Sequence, residues 1–133
     1  MRTVFLDTVG LLALWDRSDQ WHPAADAAYQ ALTAGPVRLV TSTLILYECG
    51  NAAARRPYRN DVADLWLALD ATGDLFRPTA AQAERAWANY AAGPPGSAGA
   101  VDHLSFVLMA DAGITEAFTN DAHFRTAGFV TLF

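Results

Sequence analysis

The sequence predicts an α/β fold in which a mostly parallel sheet lies between two layers of helices. The short, continuous apolar run Val4–Leu6 is typical of a strand that is buried on both faces, and Val37–Val40 predicts a second strand. Longer segments with apolar residues at helical spacing separate these runs. Because parallel strands need long crossovers that are usually helical, the alternation of the two patterns predicts a three-layer α/β/α sandwich.

The first half of the chain contains signals for two strands and four helices. Pro23 suits the first turn of a helix, and Gly35-Pro36 closes that helix. Thr41-Ser42-Thr43 offers hydroxyl groups that cap the next helix, and Pro57 stops it. The predicted elements are a strand at 4–6, helices at 11–15 and 22–34, a strand at 37–40, and helices at 44–56 and 60–71.

The second half alternates shorter strands and helices. Thr79 is a good capping residue for the helix that follows it. Residues 93–99 contain three glycines and two prolines, which predicts an irregular loop. The predicted elements are a strand at 75–77, helices at 80–90 and 102–112, a strand at 117–119, a short helix at 121–126 and a last strand at 129–132.

Composition restricts the class of protein. The 133 residues suit one domain spanning 1–133, and 53% hydrophobic with 17% charged residues excludes a disordered chain. All nine basic residues are arginine, so chemistry that needs a lysine, such as a Walker phosphate loop or a Schiff base, is excluded. The single cysteine cannot form an internal disulfide, and no apolar segment resembles a signal peptide or a membrane span. We therefore expect a cytoplasmic protein with no membrane contact.

Four acidic residues occupy related positions in the predicted fold. Asp7 and Asp121 follow predicted strands, whereas Glu48 and Asp102 lie early in apolar helices. Ligands of open α/β sheets bind beyond the carboxyl ends of the strands, where the strand order reverses. If the two strands are neighbours there, Asp7 and Asp121 face each other. Four carboxylates with no lysine repel one another unless a cation lies between them, and oxygen ligands suit Mg²⁺ or Mn²⁺.

Each of these acids also has a simpler structural interpretation. Asp7, Asp102 and Asp121 stand where a carboxylate caps a helix or interacts with its dipole. Glu48 stands where an exposed surface residue is equally expected. The joint pattern favours the metal site, because the other ten acids have no comparable placement.

The basic residues are weaker indicators of function than the four acids. Arg55, Arg56 and Arg59 form the densest basic group, and they either guide phosphates toward the acids or are a solvated helix end. The three histidines are widely spaced, and metal binding by them is not expected.

Four segments resemble the PIN domain family in order and spacing, and together they cover nearly the whole chain. They are Val4-Phe5-Leu6-Asp7-Thr8, Thr43-Leu44-Ile45-Leu46-Tyr47-Glu48, Asp102-His103-Leu104-Ser105-Phe106 and Phe118-Thr119-Asn120-Asp121-Ala122-His123-Phe124. The last segment is similar to a subgroup of the family that includes VapC-type toxins.

The resemblance implies a PIN-like fold and a metal-dependent endoribonuclease that leaves 5′-phosphate products. It implies that Asp7, Glu48, Asp102 and Asp121 are both the catalytic and the metal-binding residues for one or two Mg²⁺ or Mn²⁺ ions, and that Thr119 orders the site. It also implies an RNA substrate and the toxin role in a type II toxin–antitoxin pair, with a cognate antitoxin as partner. The apolar composition and the four tryptophans favour a homodimer.

The sequence departs from the family pattern before the third acid. Relatives often carry an Asp-Lys pair and a threonine there, whereas residues 95–101 contain no charged side chain. Position 9, often Ser or Asn in relatives, is Val9. An alternative interpretation is therefore a PIN-like binding module with weak catalysis that acts through RNA or protein contacts.

Overall fold

Five parallel strands form the central sheet of the computed structural model, which describes residues 1–133. The strands are β1 (Arg2–Leu6), β2 (Val37–Ser42), β3 (Leu75–Phe76), β4 (Glu116–Phe118) and β5 (Val130–Thr131). Their order in the sheet is β3-β2-β1-β4-β5, and every neighbouring pair is parallel. The predicted α/β/α sandwich with a parallel sheet is thus confirmed.

Seven helices connect and flank the strands. They are α1 (Thr8–Trp15), α2 (His22–Thr33), α3 (Thr43–Ala53), α4 (Arg59–Ala71), α5 (Ala80–Ala92), α6 (Ala100–Ala112) and α7 (Ala122–Thr126). None of them has the length and apolar character that crossing a membrane requires.

The predicted elements are present, but several of their ends differ. Helix α1 begins at Thr8, directly after β1, and α3 ends three residues before the predicted end at position 56. Of the three predicted capping hydroxyls, Ser42 caps α3, since its Oγ accepts from the N–H of Ile45 at 3.3 Å. Thr41 lies within β2 and donates its hydroxyl to the carbonyl of Leu6 at 2.6 Å, which ties the ends of two strands together.

The strand order reverses between β1 and β4. From β1 the chain proceeds to β2 and β3 on one side and returns to β4 and β5 on the other. Leu6 of β1 is paired with Phe118 of β4, so the residues that follow these two strands emerge side by side. This is the neighbour relation on which the predicted meeting of Asp7 and Asp121 depends.

A glycine lets α1 approach the end of β4. A Cβ atom at Gly10 would lie 2.0 Å from the carbonyl oxygen of Phe118, a distance that no side chain tolerates. The rings of Phe5, Phe118 and Phe124 are fully buried beneath this contact. The core therefore holds the start of α1, and with it Asp7, against the switch point of the sheet.

Helices α5 and α6 form an antiparallel pair on one face of the sheet. Gln82 and Arg85, near the start of α5, bond to Asp111 near the end of α6. Ala86 packs in a small cluster with Leu104 and other residues of α6. The last turn of α5 consequently lies beside the first turn of α6, at the same edge of the sheet as the carboxyl ends of the strands.

Candidate active site

Asp7 is the most buried of the four acids, with 2% of its surface exposed. It occupies the position before α1, but its side chain makes no capping hydrogen bond to that helix. Its Oδ2 instead accepts the hydroxyl of Thr119 at 2.8 Å. Helix capping, the simpler interpretation of this residue, therefore does not account for its burial.

Burial raises the pKa of Asp7 to about 7. The hydroxyl of Thr119 acts against this shift, while the negative charge of Asp102 adds to it. The ionised form of Asp7 is thus unfavourable unless a positive charge lies beside it.

Asp102 and Asp121 do have structural roles as well. One carboxylate oxygen of Asp102, in the first turn of α6, accepts from the N–H of Gly99 at 3.3 Å. One oxygen of Asp121 caps α7 by accepting from the N–H of His123 at 2.9 Å. Each carboxylate keeps a second oxygen. Partial burial raises the pKa of Asp102, and the charges of Asp121 and Glu48 raise it further.

Glu48 is the exposed member of the group. It lies in the middle of α3, and its Oε1 accepts the hydroxyl of Thr8 at 2.6 Å. Its charge and that of Asp121 act on Asp102, and the charge of Asp102 in turn raises the pKa of Asp7. Asp7, Glu48 and Asp121 therefore each lie near enough to Asp102 for their charges to interact with it.

Two threonines orient these acids. Thr119 is fully buried; its Oγ1 donates to the carboxylate of Asp7 and accepts from the backbone N–H of Asp121 at 3.1 Å, so it links the side chain of one acid to the backbone of another. This is the ordering hydroxyl that the family resemblance implied. Thr8 positions Glu48 in the same way. The sequence pattern did not predict this contact, although the place of Thr8 directly after Asp7 puts its hydroxyl near the predicted site.

His123 also lies in the cluster. Ligand atoms of Asp102, Asp121 and His123 all lie within 4.8 Å of one another. Its Nδ1 is 3.1 Å from Oδ1 of Asp121, and its Nε2 is 3.1 Å from the carbonyl oxygen of Gly96. Both partners can accept hydrogen bonds, so this arrangement favours the protonated ring. The carbonyl of Gly96 is the main cause of the raised pKa of His123, and the two carboxylates add to it.

The spacing of the histidines along the chain gave no sign of this role. Through these two contacts His123 joins the loop before α6 to Asp121.

The donor set fits a hard divalent cation. Five arginines are paired with carboxylates outside the cluster, namely Arg2, Arg38, Arg56, Arg77 and Arg85. No arginine bonds to any of the four acids, so His123 is their only cationic neighbour. Four carboxylates with at most one positive charge among them suit Mg²⁺ or Mn²⁺, which prefer oxygen ligands.

The basic group after Glu48 is only partly available for RNA. Arg56 is paired with Asp16 at 2.9 Å, and Arg59 donates to the carbonyl of Ala54 at 2.8 Å. Arg55 alone of the three makes no hydrogen bond. A role of this group in guiding phosphates stays a prediction.

A parallel sheet in this strand order, with an acidic cluster at its switch point, is the arrangement of a PIN domain. The sequence model of the PIN domain matches residues 4–130, and the chain belongs to that family. Among solved structures, it is similar to VapC20 of Mycobacterium tuberculosis, a sarcin-ricin loop cleaving toxin. The two share 27% sequence identity with a TM-score of 0.77, and the match covers 96% of each chain. A comparison with curated protein sequences found no match.

Proposed function

We propose that this protein is a metal-dependent endoribonuclease and the toxin of a type II toxin–antitoxin pair in the cytoplasm. The family and the similarity to a toxin that cleaves the sarcin-ricin loop support this function. The observation that carries it is Asp7, a buried carboxylate that makes no capping hydrogen bond and whose pKa is raised by its burial and by the nearby charge of Asp102. Fold requirements alone give no reason to bury an acid there.

We assign one or two Mg²⁺ or Mn²⁺ ions to Asp7, Glu48, Asp102 and Asp121. Such an ion, when bound, lowers the pKa of a water molecule and stabilises negative charge on a phosphodiester. The protein's own groups keep the carboxylates in place. Thr119 holds Asp7, and the N–H of Gly99 holds Asp102.

The net charge of the chain is compatible with an RNA substrate that is attracted by the metal site. The formal net charge is −5, and removal of the four site carboxylates leaves −1. The remaining surface is thus close to neutral and neither repels nor strongly attracts an RNA backbone. Neutralisation of the four acids by bound cations is therefore a condition for RNA to approach.

Cleavage of RNA by the purified protein is expected to require Mg²⁺ or Mn²⁺. A synthetic sarcin-ricin loop hairpin and a mixed-sequence single-stranded RNA serve as substrates, with and without EDTA. Cleavage that EDTA stops and Mg²⁺ restores supports the proposal. Cleavage that persists in EDTA contradicts the metal assignment.

The same assay separates the alternative, a PIN-like module with weak catalysis. The uncharged loop at 93–99 favours this alternative, because it offers no basic side chain to contact phosphate. RNA binding in Mg²⁺ with no cleavage of either substrate would establish it.

We also propose two protein partners, a second copy of this chain and a cognate antitoxin. An apolar groove of about 670 Å³ runs between α3 and α4. Tyr47 and Leu67 line it and are 64% and 68% exposed. We assign this groove to an antitoxin segment, since exposed apolar surface of this kind marks a site of protein contact.

Substitution Leu67→Asp is expected to weaken the complex with the antitoxin about tenfold or more, because it places a charge in an apolar contact. Calorimetry with the product of a neighbouring short reading frame measures this, with RNA cleavage as the control that stays unchanged. Equal affinity contradicts the groove assignment. Light scattering at micromolar concentration that shows only monomer contradicts the homodimer.

A further inference from the structure

Two large aromatic side chains lie open on the last two turns of α5. Trp87 is 63% exposed and Tyr90 is 41% exposed. Their ring centroids are 5.3 Å apart and their planes are inclined by 37°. Neither ring belongs to the core, and the acidic cluster does not use them.

This aromatic pair lies at the edge of the sheet that carries the acids. Ala86 packs in a cluster with Leu104, Val107 and Leu108 on the antiparallel helix α6. Tyr90 follows Ala86 by four residues, so it lies about 6 Å farther along α5. That displacement brings it level with the first turn of α6, which carries Asp102.

A depression of about 360 Å³ separates Tyr90 from the loop before α6. It is lined by Tyr90, Ala91 and residues 93–98. The same loop contacts the acidic cluster from its other side. The carbonyl of Gly96 accepts from Nε2 of His123, and the N–H of Gly99 donates to Asp102.

We propose that Trp87, Tyr90 and this loop form a base-binding site, in which an unpaired RNA base next to the scissile phosphate stacks on the aromatic rings. The inference rests on the proposed ribonuclease function, whose substrate it would help to position. Proteins recognise single-stranded RNA by stacking unpaired bases on Trp, Tyr and Phe.

The distribution of charge favours an RNA base as the occupant. The loop has no charged side chain, so a phosphate that passes it meets no carboxylate. Glu84, on the same helix as the aromatic pair, lies about one turn farther from the acids than Trp87 does. Five of the nine arginines are held in ion pairs, which limits the affinity available from phosphate contacts. Stacking supplies affinity that does not depend on free basic residues.

The test compares RNA affinity with and without the aromatic pair. In an Asp7→Asn background, which keeps the RNA intact, we expect the double substitution Trp87→Ala and Tyr90→Ala to raise Kd for the hairpin about tenfold or more, the scale of one base–aromatic stack. Replacement of both residues by Phe is expected to retain most of the affinity. Trp21→Ala is the matched control, because this 49% exposed tryptophan precedes α2, which packs on α1.

A series of hairpins with one abasic nucleotide each identifies the base. Loss of the base at one position next to the cleavage site is expected to raise Kd for the protein that has both rings. The same loss is expected to leave Kd unchanged for the double alanine variant. A merely structural role of the rings would not give this dependence on a single base.

Two other outcomes overturn the base-binding site. One is equal RNA affinity with and without the rings. If light scattering then shows that the double alanine variant has a different oligomeric state, this surface of α5 binds a second copy of the chain instead. The other is an equal penalty from every abasic position in both proteins. Failure of the ribonuclease assignment is seen separately, as RNA that the wild-type protein binds but does not cut in Mg²⁺.

Discussion

Substitution Asp7→Asn is expected to lower kcat/KM for RNA cleavage by about 10³-fold or more, since the charge stabilisation that a bound metal provides is worth several kcal/mol. Asparagine has nearly the shape of aspartate and keeps an oxygen that accepts from Thr119. It removes the negative charge from the most buried of the four acids, which makes no capping hydrogen bond. Single-turnover cleavage of a labelled RNA in Mg²⁺ measures the effect.

The matched control is Asp70→Asn, the same chemical change on α4. Asp70 pairs with Arg77 in an ion pair at 2.9 Å whose two side chains are about half exposed, far from the acids in sequence and on another helix. Its replacement is expected to leave cleavage within about twofold, as for surface changes in general. If the Asp7→Asn protein cuts RNA at the wild-type rate while melting cooperatively, Asp7 is not part of the catalytic site.

The meeting of the acids could be predicted because it follows from a small number of rules. Parallel strands end at one edge of the sheet, and the order of strands reverses where two crossovers diverge. Asp7 and Asp121 each stand within three residues of the end of such a strand, β1 or β4. Pattern alone therefore brought these two acids together before any contact was known.

The contacts that tune the site could not be predicted. The carbonyl of Gly96 meets His123 across 27 residues, and the hydroxyl of Thr8 meets Glu48 across 40. Such pairs depend on how helices pack, which periodicity does not specify. The pairing of Arg56 with Asp16 is of the same kind, and it reduces a basic group that looked free in the sequence.

Asp7→Asn is also expected to stabilise the metal-free protein at neutral and alkaline pH. The pKa of Asp7 is about 7 in the folded protein, against an ordinary value of 3.8, so ionisation disfavours the fold. Between these values the folded state binds more protons than the unfolded state, and stability falls as pH rises from about 4 to about 7. The full penalty, on the order of 4 kcal/mol, persists above that range.

Asparagine does not titrate, and its amide replaces the charged oxygens imperfectly. We therefore expect the variant to recover about half of the penalty, roughly 2 kcal/mol at pH 8 in EDTA, and nothing at pH 4. For a chain of this size that gain is several degrees in melting temperature. Asp121→Asn should gain less, because the Asp121 side chain is more exposed to water than Asp7 and its carboxylate already accepts from the N–H of His123.

Thermal melts of the three proteins at pH 4 and pH 8, each in EDTA and in Mg²⁺, distinguish charge repulsion from a packing effect. In Mg²⁺ the difference between the two proteins at pH 8 is expected to narrow, because the cation relieves the repulsion: at ten times its dissociation constant the ion stabilises the wild-type protein by about 1.4 kcal/mol, and the Asp7→Asn variant by clearly less. A gain that is the same at both pH values comes from packing at this position and contradicts the raised pKa. An equal response of wild type and variant to Mg²⁺ shows that Asp7 holds no metal, whatever the activity of the variant.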